Sequence, residues 1–210
     1  MAETPTAYPM RLFVDYPDRK LNRLTTFFRA FMVIPIGIIL GLVIGATYAW
    51  EAGGENYQYA MGGLVVLPTV LMLLFRQKYP RWWFDWNLAI TKFSTRVSTY
   101  VMLLRDEYPS TDEEQAVHID IPYPNAKEEL NRWLPLVKWI MAIPHYIVLC
   151  FLGIGAWVAA IIAWFAILFT GNYPRSLFDF VVGVLRWSLR VTVYAFMLTT
   201  DRYPVFRLNE

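Results

Sequence analysis

Cysteine is nearly absent from this chain of 210 residues: Cys150 stands alone. An intrachain disulfide and a multi-cysteine metal site are both excluded. Charge is scarce too, at 17% of residues, against about 25% in an average soluble chain. The formal net charge is only +2, too small for a nucleic-acid binder defined by its charge. Histidine occurs twice, as His118 and His145. There is no glycine-rich nucleotide loop, no His-Glu-x-x-His and no Gly-x-Ser-x-Gly. The expectation is therefore no catalytic residue, no cofactor, no metal and no enzyme activity.

What is abundant is hydrocarbon. Hydrophobic residues make up 57% and aromatics 17% of the chain, and the mean hydropathy is +0.35. That excludes a disordered chain and argues against a soluble one. Ala30 to Ala49 is uncharged, matching the roughly 20 residues that cross a bilayer core. Tyr59 to Phe75 is a second, shorter run. Trp139 to Phe169 is also uncharged, too long for one ordinary helix and too short for two full ones. It reads either as a hairpin turning at Gly153-Ile154-Gly155 or as one long tilted helix.

Lysine and arginine set the expected orientation. Arg11, Arg19, Lys20, Arg23 and Arg29 precede the first run, and Arg76, Lys78 and Arg81 follow the second. The segment from Glu51 to Gln58 between them has no basic residue. The positive-inside rule places this loop, Gly54 included, outside, with both termini and the 106–120 linker cytoplasmic. Lys127, Arg132 and Lys138 before the third run, and Arg175 after it, repeat the pattern. Tyr48, Trp50, Tyr57 and Tyr59 suit an aromatic belt. No signal-peptide pattern opens the sequence, so the first run reads as a retained anchor.

The chain resembles itself. Tyr16-Pro17, Leu21-Asn22-Arg23 and Met32-Val33-Ile34-Pro35 return as Tyr123-Pro124, Leu130-Asn131-Arg132 and Met141-Ala142-Ile143-Pro144. Tyr79-Pro80-Arg81 with Phe84-Asp85 returns as Tyr173-Pro174-Arg175 with Phe178-Asp179. Arg96, Tyr100 and Asp106-Glu107-Tyr108-Pro109 answer Arg190, Tyr194 and Asp201-Arg202-Tyr203-Pro204. Order, spacing and residue type agree, so a tandem parallel repeat is expected. It favours the hairpin for the third run. The first copy covers 8–109, with a membrane hairpin at about 27–75 and an amphipathic helix at about 81–105. An acidic linker, 110–116, leads to the second copy, 117–208, with a hairpin at about 133–170 and a helix at about 176–199.

These motifs resemble those of an uncharacterised bacterial membrane family known as domain of unknown function 4389. The resemblance runs from about Tyr8 to Leu208, once per copy. It implies a multi-pass protein of the bacterial inner membrane and carries no activity and no catalytic residue.

Trp82, Trp86, Ile90, Phe93, Val97, Val101 and Leu104 recur at helical spacing and form one apolar face. Asp85, Lys92, Thr95, Arg96 and Thr99 take the other side. The matching helix carries a narrow stripe of Asp179, Gly183, Arg186 and Arg190. Crossing the bilayer would cost about 2.5–3.5 kcal/mol per charge, so both helices are expected at the interface. Six spans are the alternative. Arg11 to Tyr16, Val117 to Ile121 and Val205 to Leu208 read as strands of a small cytoplasmic sheet. The fold class expected is thus mainly α, integral membrane, with a small β element.

Candidate site residues follow from recurrence. Arg81, Lys92, Arg96, Arg175, Arg186 and Arg190 are candidates for lipid-headgroup contact. The alternative is internal neutralisation or plain solvation. Asp85 and Asp179 each follow an arginine by one helical turn, which suits a helix-start ion pair better than an ion site. His145 is read as a core histidine satisfied by a carbonyl, and Cys150 as a small hydrophobe. Expected partners are membrane lipids and a protein partner or second copy, with no nucleic acid. The function expected is a non-catalytic scaffold, adaptor or accessory subunit. The alternative is lipid handling or small-solute transport through a cleft between the copies.

Overall fold

The computed structural model describes residues 8–44, 48–52, 55–59, 66–111 and 113–209. Gly54 of the expected outer loop, residues 60–65 of the second apolar run and Asp112 of the acidic linker lie outside the described residues. The chain is mainly helical. Its elements are β1 (Arg11–Val14), α1 (Arg23–Phe27), α2 (Arg29–Ile44), β2 (Tyr48–Ala52), β3 (Glu55–Tyr59), α3 (Val66–Leu71), α4 (Arg81–Val101), β4 (Val117–Asp120), α5 (Lys138–Met141), α6 (Ile143–Thr170) and α7 (Arg175–Thr192). π-helical turns, Met72–Arg76 and Val193–Met197, prolong α3 and α7.

Local chemistry starts and stops these helices. Asn22 caps α1 by accepting from the N–H groups of Leu24 and Thr25. Pro80 and Pro174 stand directly before α4 and α7, where extended backbone leads into the first turn. Gly171, at φ 79°, closes α6, and its N–H returns to the Ile167 carbonyl.

β1 and β4 pair antiparallel, Arg11 opposite Asp120 and Val14 opposite Val117. Their alternation turns Leu12, Val14, Val117 and Ile119 inward. These join Val181 and Val182 of α7 and Ala156, Ala159, Ala163 and Ile167 of α6 in one core. The third expected strand does not form. Val205 to Leu208 runs irregularly across α7. Arg186 donates to the Leu208 carbonyl at 3.1 Å and Arg190 to the Arg207 carbonyl at 2.8 Å. Guanidinium groups thus satisfy backbone acceptors that a neighbouring strand would otherwise have taken.

The second hairpin is corrected as well. α6 runs unbroken from Ile143 to Thr170 through Gly153 and Gly155. A turn there would leave backbone polar groups among apolar side chains with nothing to pair them. Two glycines weaken a helix by only about 1 kcal/mol each. Gly155 also lets α7 approach: a Cβ there would lie 3.3 Å from the Phe180 ring. In the first half, the described residues of the segment expected as a plain loop, 51–52 and 55–58, belong to the β2–β3 pair, with Trp50 opposite Tyr57. Aromatic residues favour such extended backbone. Tyr59 therefore ends a strand, and among the described residues the helical part of the second run is Val66–Arg76.

Two helical stretches, Ile143–Thr170 and Arg175–Met197, are long and apolar enough to cross a membrane. They differ in burial. Only 22% of the most apolar window of the first is buried, against 67% for the second. α6 packs its alanines inward and exposes Phe151, Ile154, Trp157, Ile161, Phe165 and Phe169.

Candidate functional site

The recurring motifs meet across the two halves of the chain. Tyr16 donates to the Tyr173 carbonyl and lies edge-on to Phe178 at 4.9 Å between centroids. Tyr123 donates to the Tyr79 carbonyl and meets Phe84 edge-on at 5.2 Å. Arg175 sits 4.6 Å from the Tyr16 ring centroid and Arg81 5.1 Å from that of Tyr123. Each arginine also pairs with its own-helix acid: Arg81 with Asp85 at 3.6 Å and Arg175 with Asp179 at 3.3 Å. Both pairs are exposed, so each contributes a few tenths of a kcal/mol. Burial pushes the Tyr79 and Tyr173 hydroxyls up, far from any role as acid or base near neutrality.

A second matched set lies deeper. Arg29 reaches Asp106 at 2.5 Å and the Arg105 carbonyl at 2.8 Å, beneath the Tyr100 ring. Lys138, fully buried, reaches Asp201 at 2.8 Å and the Thr200 carbonyl at 2.7 Å, with the Tyr194 ring beside it. The same aspartates accept the N–H groups of Asn22 and Asn131. Sequence reasoning missed these pairs. Asp106 and Asp201 stood out only as matching places of the repeat, and Lys138 only as an orientation marker. The signal available was the recurrence of Asp at matching places in the two halves.

Arg96 and Arg190 are buried and hold carbonyls. Arg96 donates to Ser110 at 2.8 Å, and Arg190 to Arg207 and Asn209. Arg186 donates to Leu12 and Leu208. Each of these bonds goes to a backbone carbonyl. Lys92 is half-buried beside Arg96, in a small pocket against β1 and β4. On α4 both faces contribute buried residues: Phe93 and Val97 of the apolar face are buried. Trp82 and Trp86 are exposed, whereas Asn87, Thr95, Arg96 and Thr99 are buried.

Asn87 and Thr95 belong to a groove of about 300 Å³ between α4 and α7. Asn87, Thr91, Ser94 and Ser98 line one wall, and Ser188 and Thr192 the other, over Leu189 and Met197. Thr91, Ser94, Ser98 and Thr192 donate to carbonyls one turn back on their own helices. The groove therefore presents hydroxyl oxygens as acceptors, and no charged side chain lines it.

His145 is fully buried, and its Nδ1 accepts from the Trp187 indole at 3.0 Å rather than donating to a carbonyl. Phe206 stacks on it at 4.0 Å. Cys150 is exposed on α6, not a buried hydrophobe. Among the described residues, no group of His, Cys, Asp or Glu is clustered to hold a metal ion.

Residues 133–207 match the family model described as Domain of unknown function (DUF4389). This supports the family resemblance over α5, α6 and α7. No curated protein and no solved structure matches the chain.

Proposed function

We propose that this chain is a non-catalytic integral membrane protein, a scaffold, adaptor or accessory subunit built as a tandem parallel repeat. The observation that carries the reading is the outward face of α6. A 28-residue helix is about 42 Å long, more than a bilayer core of about 30 Å. Phe151 is 70% and Phe169 78% exposed, with large apolar side chains between them. Lipid covers such a face at no cost to solubility. Matched contacts support the repeat: the tyrosine-to-carbonyl bond crosses between the halves once in either direction, and each half holds its own buried cation–aspartate pair. The reading places α4 and α7 at the interface, both termini in the cytoplasm and the chain in an inner membrane.

Alkaline extraction of membranes tests insertion: the protein stays in the pellet if α6 spans. Single cysteines at Glu55 and Ser110, in a Cys150→Ala background, test orientation with an impermeant thiol reagent. Labelling of Ser110 from outside overturns the topology. Native mass spectrometry from mild detergent tests the scaffold, which requires a stoichiometric partner or a second copy.

The groove between α4 and α7 favours a second reading, lipid handling or transport of an uncharged solute. Filling it with Ser94→Leu and Ser188→Leu would then abolish lipid exchange or solute flux in proteoliposomes. Unchanged partner binding in the same variant would keep the scaffold reading.

A further inference from the structure

Three basic side chains stand outside every pairing described so far. Arg76, Lys78 and Lys127 are exposed, and among the described residues their side chains make no hydrogen bond or ion pair. They line one open pocket of about 800 Å³ with Gln77, Asn125 and Tyr123. No acid lines it. Glu128 and Glu129, which follow Lys127 in the chain, accept from the Asn125 side chain and its backbone N–H respectively. Arg132 occupies the helix-end carbonyl of Phe75, so the partial negative charge of that terminus is already answered.

The matching place in the other half is closed. Thr170, Gly171 and Asn172 stand where Arg76, Gln77 and Lys78 do. Lys20 lies across Gly171, its Cδ 3.3 Å from where a Cβ would stand. The Leu21 N–H donates to the Gly171 carbonyl at 2.8 Å. In the first case the stretch from Tyr123 to Leu130 is longer than its counterpart from Tyr16 to Leu21, and the pocket stays open.

We propose that this pocket binds a phosphate group, carried by a membrane phospholipid or free in solution. Two ammonium groups and a guanidinium on one pocket, with no acid among its described lining residues, supply charge-assisted donors to a tetrahedral anion. The pocket begins where the Val66–Arg76 stretch ends, beside the exposed Phe75. The phospholipid source rests on the membrane reading, which puts that end at headgroup depth. The free-phosphate source does not.

The test uses the full chain. One arm counts phosphatidylglycerol retained on the protein by native mass spectrometry after release from nanodiscs. The other titrates inorganic phosphate calorimetrically into the detergent-solubilised protein. The variant R76Q/K78Q/K127Q is compared with R11Q/R19Q/R207Q, which removes equal charge elsewhere. All these positions are exposed, so melting temperatures should match wild type. Affinity should fall about fivefold for each pocket charge removed and stay near wild type in the control. A fall in the lipid arm alone identifies a phospholipid, and a fall in the phosphate arm alone a free anion. A fall in both identifies the phosphate group itself. No wild-type binding in either arm, or equal behaviour of the two variants, overturns the site. Release of wild type by alkaline extraction overturns the membrane reading separately and leaves the phosphate arm to decide.

Discussion

The two halves of the chain carry the same contact chemistry on different apolar parts. The first half offers α2, the short stretch Val66–Arg76 and the β2–β3 pair between them. The second offers one continuous helix, α6. Yet each half holds a buried cation against an aspartate, an arginine on a carbonyl and a tyrosine on the other half's backbone. The lesson is that the constant part is the polar frame, and the apolar part is what varied.

The largest expected effect tests that frame. Asp201→Ala leaves Lys138 buried without its carboxylate, and Asp106→Ala does the same to Arg29. Removing one partner of a buried pair costs about 3–5 kcal/mol. Thermal unfolding in detergent should show a comparable drop for both. A large drop in one half only would break the equivalence.

A smaller effect separates the halves. Gly183 packs under the C-terminal segment, and a Cβ there would lie 2.8 Å from Leu208 Cβ and 3.3 Å from its carbonyl oxygen. Gly183→Ala should therefore destabilise by about 1–3 kcal/mol through overpacking. Its counterpart in the first half, Ala89, is exposed. Ala89→Gly should cost no more than about 1 kcal/mol, the helix propensity alone. Equal losses on denaturation would mean that the C-terminal segment does not press on α7.

Gly153 sharpens the correction of the hairpin. Nothing lies within 4 Å of the space a Cβ would fill. Gly153→Ala should raise stability by up to about 1 kcal/mol, as in any helix interior. A turn at this position would instead lose stability, and the melting temperature reports the sign.

The smallest effect is a pH dependence. Burial raises the Glu107 carboxyl, but the Arg105 hydrogen bond, the Ala116 N–H and the charges of Arg105 and Arg19 outweigh it, and the net direction is down. A lowered carboxylate contributes stability above its unfolded value of 4.5 and loses it as pH falls below that. The side chain is 36% exposed, so less than about 1 kcal/mol is at stake. Glu107→Gln should melt slightly lower than wild type at pH 7 and level with it near pH 3.

Much of the architecture was legible. The helical period from Trp82 onward marks α4, and β-branched residues near Pro mark β1 and β4. The self-similarity points to residues that the fold brings together. What stayed hidden has physical reasons. Periodicity located an apolar face on α4, but the Ser and Thr of the other face are satisfied by their own helix and tolerate burial. Hydropathy could not decide whether Gly153 turns, because an uncharged run looks alike in one helix or two. The burial of Lys138 and Arg29 was not legible, since it depends on a partner far along the chain. The phosphate-site arginine and lysines were used only as topology markers.

The cross-half tyrosines also impose an order on folding. Tyr16 waits for a carbonyl 157 residues further on, whereas Tyr123 finds its acceptor 44 residues back. During synthesis from the amino terminus, the second lock can close as soon as Tyr123 emerges. The first stays open until α6 is made and the chain beyond it has appeared. Contacts this distant in sequence are slow to form because a long loop must be closed first. The early segment is thus secured in two stages, β1 to β4 and Asn22 to Asp106 by the time residue 120 is made, and Tyr16 only after α6 is complete.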